Sequence, residues 1–472
     1  MGDPLTGRVP DGIVKLGNRM RRELGHRLGR ARESLGGRPG PVGGPLVGRA
    51  PGPGGATFFG SRLGLRAGLV LAGVALLGSA VWSLSTGRPA PHHVDGTVTA
   101  SDPHAPVVPT RLVQTISHGF VYPGRLNLSW PSSGTAAIEV AGMGLLGSSG
   151  SMTSRHSIAS ITKTLTAYVV LRDHPLTATS SGPTITLNGS MAVTYEVALK
   201  QGESAVAVKP GEQITERQAL EAMLLASAGD MAEILAMWDR GSVGAFLTEM
   251  NEQARELGMG NSDFTDPTGL AAGTVSTMSD LLKLAEAVQA MPALTSIVAE
   301  NSADVPVAGT VYNVNRDLGL HGIDGIKTGT TAAAGSCLLF SAHLQVGGHA
   351  LTILGVVLGM PGSTGVPYTA LNAASALVVS AQAQIGEATV AETGRQVAAL
   401  EQGRGKVAGL GVADSLAVVG WPGLGYRVQV TGTVAAATLR VTQMGGSSAS
   451  ASIPLLRLVS RAPVTRKRTR AG

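Results

Sequence analysis

Read for the period of its apolar and polar positions, the chain divides into stretches of different character. Over residues 67–85 no charged residue interrupts the run AGLVLAGVALLGSAVWSLS, about the length a helix needs to cross a hydrocarbon core of roughly 30 Å. From about 112 to 385 strand and helix patterns mix. Strands are predicted over 136–146 and 337–359, the second as a hairpin turning at Gly347 and Gly348, and helices over 216–238, 243–257 and 279–291. Beyond about Gln384 the runs become short and alternating, as where Tyr426, Val428 and Val430 interleave with Arg427 and Gln429, and a small β domain is expected.

Composition sharpens the ends. Residues 1–62 are dominated by Gly, Pro and Arg, which bury too little apolar area to offset chain entropy, so a disordered basic tail is expected. Within it Ile13, Leu16, Met20, Leu24 and Leu28 recur at helical spacing among arginines. That pattern fits a basic amphipathic helix, while Gly17, Gly25 and Gly29 weaken it and leave a solvated tail open. The apolar run starts too far from Met1, and is too long, for a cleaved signal peptide, so a retained transmembrane helix is expected over 63–86. Arg62 and Arg66 stand before it and Arg88 nearly alone after it, which places the N-terminus in the cytoplasm and everything later outside the cell membrane. Pro-rich residues 87–111 read as a stalk, and 461–472 as a basic tail.

The net charge of +6 sits in those arginine-rich ends, so no nucleic-acid partner is expected. Cys337 is the sole cysteine, and no Cys/His grouping has zinc-site spacing; neither a metal nor a cofactor is called for. His92, His93, Asp95 and His104 lie in the stalk, where a flexible segment does not preorganise a site.

Three short segments can carry chemistry. Ser160-Ile161-Thr162-Lys163 opens a buried helical pattern, and three residues apart on a helix the hydroxyl and the amine share a face. A serine must lose its proton as it attacks, and a neutral lysine beside it is a suitable base. Taken alone the pattern is common, and a serine there is also an ordinary helix cap. Lys327-Thr328-Gly329-Thr330 precedes an apolar strand over 336–342, whose edge can pair with an extended peptide while Lys327 attracts a carboxylate; a lysine in a Gly-bounded turn is the plainer reading. Ser227-Ala228-Gly229 interrupts a helical run.

In this order, and with SIASITKTLTAYVVL around Ser160, VKPGEQITERQALEAMLLASAGD leading to Ser227, FLTEMNEQARELGMGNSDFTDPTGL, STMSDLLKLAEA and GIDGIKTGTTAAAGSCLLFSA, the chain resembles the low-molecular-weight penicillin-binding proteins, the D-alanyl-D-alanine carboxypeptidases. The resemblance covers roughly 130–360. It implies an α/β (α+β) fold of the serine β-lactamase and penicillin-binding transpeptidase type over 112–385, followed by the small all-β domain over 386–460. It implies hydrolysis of the terminal D-alanine of peptidoglycan pentapeptide stems through an acyl-enzyme, with β-lactams as inhibitors.

By that resemblance Ser160 is the nucleophile, Lys163 its proton acceptor and Ser227 a proton relay. Lys327, Thr328, Gly329 and Thr330 bind the substrate, and the N–H groups of Ser160 and Thr330 form the oxyanion hole. One departure stands out: the family's Asn, third in the middle motif, is Gly229 here, followed by Asp230. Loss of one such polar contact costs about 10² to 10³ in rate by analogy with oxyanion donors. A wall-peptide-binding protein with weakened catalysis is therefore a second reading. A β-lactamase is a third, disfavoured because no carboxylate can be assigned as its deacylation base. Asp230 points about 100° from residue 229 on a helix and is no substitute. His156, His174, His321 and Asp324 read as structural, Met223, Met231, Met237 and Met250 as core, and Cys337 as buried and inert.

Overall fold

The structure, a computed structural model, describes residues 109–362, 368–403, 405–445 and 450–458. The expected basic tail over 1–62, the membrane span over 63–86, the stalk up to residue 108 and the tail over 461–472 lie outside the described residues. Among the described residues no single helix is long and apolar enough to cross a membrane.

The centre is a five-stranded antiparallel sheet in the order Ile323–Thr331, Gly335–Val346, His349–Met360, Thr135–Val140, Gly144–Ser149. Leu338, Phe340, Ile353 and Val357 point to one face, where they pack with the helix Tyr368–Gln382. Cys337, Leu339, Leu354 and Val356 point to the other, into a core shared with the remaining helices. Because both faces are covered, Ser336 to Ala342 reads as a continuous rather than an alternating apolar run. The expected hairpin is present: Val346 pairs with His349, and Gly347 and Gly348 have φ of 55° and 79°, the left-handed pair that a two-residue turn requires. The single strand expected over 136–146 is instead two, Thr135–Val140 and Gly144–Ser149, paired with each other. Apolar residues continue through the reversal, so the pattern alone does not reveal it.

The helical side is built around Thr162–Asp173, whose Leu165, Ala167, Val169, Val170 and Leu171 are all buried. Burying each of the larger of these stabilises the fold by about 1.5–3 kcal/mol. The helices Val243–Glu256 and Met278–Gln289 form where they are expected, capped by the side chains of Ser242 and Thr277. The helix expected over 216–238 is broken into Glu216–Leu225 and Gly229–Arg240. Ser227 between them has φ 61°, a left-handed conformation that no right-handed helix can carry.

The C-terminal strands Gln396–Gln402, Gly405–Val412, Gly425–Gly432, Ala437–Gln443 and Ser450–Leu458 join a seven-stranded sheet, with Gly386–Ala391 and Leu416–Gly420 paired beside it. Two of the seven strands come from the other end of the described chain. Thr110–Gln114 pairs with Gln396–Gln402, and Gly119–Val121 with Gly425–Gly432. Residues 110–114 and 119–121, on either side of the boundary expected at 111/112, thus pair with C-terminal strands. The Gln114 side chain fastens them, donating to the Val428 carbonyl at 3.1 Å and accepting from the Val430 N–H at 2.8 Å. A five-residue and a three-residue strand carry no local signal of partners that lie some 300 residues away.

Burial pushes the carboxyls of Glu139, Glu216 and Asp230 up to about 7. Both Glu216 oxygens are buried without a hydrogen-bond partner. Because unfolded carboxyls ionise near 4, between about 4.5 and 7 the folded protein holds protons that the unfolded chain releases, and stability falls as pH rises through that window. The thermal midpoint is expected to drop as pH is raised from about 5 to about 8, and Glu216→Gln to flatten the slope. A midpoint that climbs with pH over this range contradicts the assignment.

Candidate active site

Ser160 lies in a 3-10 turn, Ala159–Ile161, that runs directly into the helix Thr162–Asp173. Ala159, just before it, has φ 48°. Among the described residues Ala159, Ser227 and His321 are the non-glycine positions with left-handed backbone, so two of three flank or form this site. Such conformations persist where surrounding packing enforces them.

The Lys163 side chain is fully buried. Its Nζ reaches Ser160 Oγ at 3.0 Å, the Thr268 carbonyl at 2.9 Å and Glu203 Oε1 at 3.2 Å, three acceptors for three ammonium protons. Burial lowers its pKa below the ordinary lysine value, opposed by the carboxylates of Glu203, Asp266 and Asp230. Lys327 is also buried, and burial, then the charge of Lys163, holds its ammonium well below the usual range. Its Nζ donates to Ser227 Oγ at 3.0 Å and to the Thr328 carbonyl at 3.1 Å.

Lys327, Thr328, Gly329 and Thr330 lie within the strand Ile323–Thr331, not in a turn, and that strand is the edge of the sheet. Gly329 is needed there, because a Cβ would stand 2.9 Å from the Ser160 nitrogen and 3.0 Å from the Ile158 carbonyl oxygen. The absent side chain lets the edge strand press against the Ser160 turn. Thr330 Oγ1 has no hydrogen-bond partner. Ser160, Glu203, Leu270, Thr330 and Thr331 line one cleft of about 260 Å³. A separate cleft of about 330 Å³, lined by Met143, His349, Glu387 and Tyr426 among others, shares no residue with it and holds none of the motif residues.

All three motifs therefore meet: Ser160 with Lys163, Ser227 with Lys327, and Gly329 against the Ser160 turn. The residues set aside stay outside the cleft lining. His174 pairs with Asp239 at 2.9 Å, and Asp324 with His343 and Ser341. Met223, Met231 and Met250 are fully buried, and burial pushes the Cys337 thiol up to about 11. Asp230 acts on Lys163 only through its charge, and its carboxylate accepts the Val206 N–H at 3.2 Å.

Sequence reasoning missed Glu203, whose carboxylate lies 3.2 Å from Lys163 Nζ and lines the Ser160 cleft. The one signal is Gly229 itself, since removing a side chain from a packed site leaves room that another group must fill.

Residues 142–361 match the family model described as D-alanyl-D-alanine carboxypeptidase. The chain is 32% identical to D-alanyl-D-alanine carboxypeptidase DacF of Bacillus subtilis over 32% of this chain and 40% of the relative. It is 36% identical to D-alanyl-D-alanine carboxypeptidase DacB2 of Mycobacterium tuberculosis over 38% of this chain and 60% of the relative. The chain thus matches 40% and 60% of the length of these two relatives. In fold it is similar to penicillin binding protein 5 from Haemophilus influenzae, with a TM-score of 0.50 and 20% identity over 71% of this chain and 98% of that one. Through residues 142–361, then, the chain is similar to the D-alanyl-D-alanine carboxypeptidases, and its fold is that of a penicillin-binding protein.

Proposed function

We propose that this protein is a serine-type D-Ala-D-Ala carboxypeptidase that removes the terminal D-alanine of peptidoglycan stem peptides through an acyl-enzyme at Ser160. The observation that carries the reading is the 3.0 Å contact between Ser160 Oγ and the buried Lys163 Nζ, beside an edge strand bearing Lys327 and Thr330. A stem peptide lies along that strand as an added β-strand, its terminal carboxylate held by Lys327, Thr328 and Thr330. Ser160 Oγ attacks the carbonyl of the penultimate D-alanine and yields its proton to the Lys163 site. The N–H groups of Ser160 and Thr330 take the oxyanion. Ser227, 3.0 Å from Lys327, passes a proton to the departing D-alanine nitrogen, and water then releases the shortened stem. A β-lactam enters the same path and forms an ester of Ser160 that is released slowly.

Product analysis tests this directly. A pentapeptide ending in D-Ala-D-Ala is expected to give free D-alanine and the tetrapeptide. Absence of both D-alanine and a penicillin adduct on Ser160 refutes the reading, and cleavage of cross-linked muropeptides alone makes the enzyme an endopeptidase. Ser227→Ala is expected to lower acylation about 10² to 10³-fold, the cost of one lost transition-state partner. Loss of less than tenfold removes Ser227 from the proton path.

The proposal includes an anchor over 63–86 with the catalytic region outside the cell, supported by the apolar run and the arginines before it. Protease added to intact cells is expected to digest residues after 87; protection of the catalytic region sinks this topology.

A further inference from the structure

The Glu203 carboxylate occupies the space that any side chain at position 229 would need. A Cβ built on Gly229 stands 2.1 Å from Glu203 Cδ and 2.3 Å from each carboxylate oxygen. The segment that carries Glu203 is fixed by Gly229, which departs from the family pattern, and by its neighbour Asp230. The Gly229 N–H donates to the Ser204 carbonyl at 2.8 Å, and the Asp230 carboxylate accepts the Val206 N–H at 3.2 Å. The Glu203 N–H itself donates to the Ala198 carbonyl at 2.9 Å, so the Glu203 backbone is held on both sides. Replacing the motif's asparagine by glycine thus makes a seat for a carboxylate from another loop, and Asp230 helps to fix that loop.

We propose that Glu203 is a catalytic group of this site: it shares the proton of Lys163 during acylation and is the base for the water that hydrolyses the acyl-enzyme. This rests on acylation of Ser160 as argued above. The pair Lys163–Glu203 at 3.2 Å holds one proton, as ammonium with carboxylate or as amine with carboxylic acid. When Ser160 Oγ bonds to the substrate carbonyl carbon, its proton goes to the amine and leaves the pair doubly protonated. The departing D-alanine nitrogen takes that extra proton from the pair through Ser227, which returns the pair to its single-proton resting state. In hydrolysis, water gives a proton to the Glu203 carboxylate as its oxygen bonds to the acyl carbon. The bond to Ser160 Oγ breaks, that oxygen takes a proton from Lys163, and Lys163 recovers one from Glu203.

The groups facing this pair are Lys327 from the edge strand, Asp230 and Glu233 from the helix Gly229–Arg240, and Asp266 from the loop that carries Thr268. With Glu203 present, a singly protonated pair can still offer an amine to Ser160, because the carboxylate can hold the proton. Without it, Lys163 itself must give up its proton before Ser160 can be deprotonated, which calls for a higher pH.

The test follows labelled penicillin on the full chain as a function of pH. Glu203→Gln, close to isosteric, is expected to move the acid limb of acylation up by about one pH unit or more, and to lengthen the acyl-enzyme lifetime about 10² to 10⁴-fold. Gly229→Asn is expected to cost both thermal stability and acylation, and Glu203→Ala added to it to restore folding and acylation with the raised acid limb. A Glu203→Gln profile and lifetime equal to wild type overturn the inference while leaving the carboxypeptidase reading intact. So does a Gly229→Asn variant that labels and melts like wild type. Absence of labelling in wild type overturns the carboxypeptidase reading and the inference with it.

Discussion

Ser160→Ala is expected to abolish covalent attachment of labelled penicillin, and Lys163→Ala to slow it by about 10⁴-fold or more, as when one member of a nucleophile-and-base unit is removed. The two differ in kind. Without Oγ no ester can form at any rate, whereas without the amine the hydroxyl remains and still faces the cleft. The size of the Lys163 effect follows from its surroundings. Ser160 Oγ, Glu203 Oε1 and the Thr268 carbonyl all depend on the one Nζ, so truncation leaves three polar groups in a buried space without their partner. Mass spectrometry of the adduct over time distinguishes the cases. Residual labelling of Ser160→Ala at the wild-type rate moves the nucleophile elsewhere, and a Lys163→Ala rate within tenfold of wild type removes the lysine from the proton transfer.

Gly269→Ala is expected to lower stability by about 2–4 kcal/mol, combining an overpacking term with the strain of a left-handed alanine. Gly269 has φ 83°, and a Cβ there would lie 1.8 Å from the Ala159 carbonyl oxygen and 2.6 Å from Thr162 Oγ1. Those are backbone and capping atoms of the turn that presents Ser160, with Thr162 Oγ1 donating to the Ala159 carbonyl at 2.8 Å. The turn cannot yield without moving the nucleophile, so acylation is expected to fall together with stability. Denaturant unfolding and the labelling rate, measured on the same preparation, check this. A variant as stable as wild type shows that the loop 257–274 is not seated against the turn.

These two effects expose how the site is held. The Ser160 turn is gripped from one side by Gly269 and from the other by Gly329, each of which approaches backbone atoms closer than any side chain allows. Lys163 is then fixed by the Thr268 carbonyl next to Gly269, and Lys327 by Ser227 in its left-handed conformation. The tight backbone contacts position the charges, and the burial that results lowers both lysines toward the neutral form that a base requires.

Much of this was legible in the residues. The spacing of Ser160 and Lys163, the strand that follows Lys327 to Thr330, the hairpin at Gly347 and Gly348, and the helices near 243–257 and 279–291 all follow from local period and turn chemistry, which act between near neighbours in the chain. The sequence also placed Ser227 among the motif residues and marked Gly229 as a departure. What only the tertiary structure decided depends on contacts between residues far apart. The break of one expected helix at Ser227, the pairing of 110–121 with strands beyond 395, and the seating of the Glu203 carboxylate beside Lys163 in the space left by Gly229 are of this kind. Propensity and periodicity describe what a segment does on its own, and none of these three arrangements exists until the chain has folded back on itself.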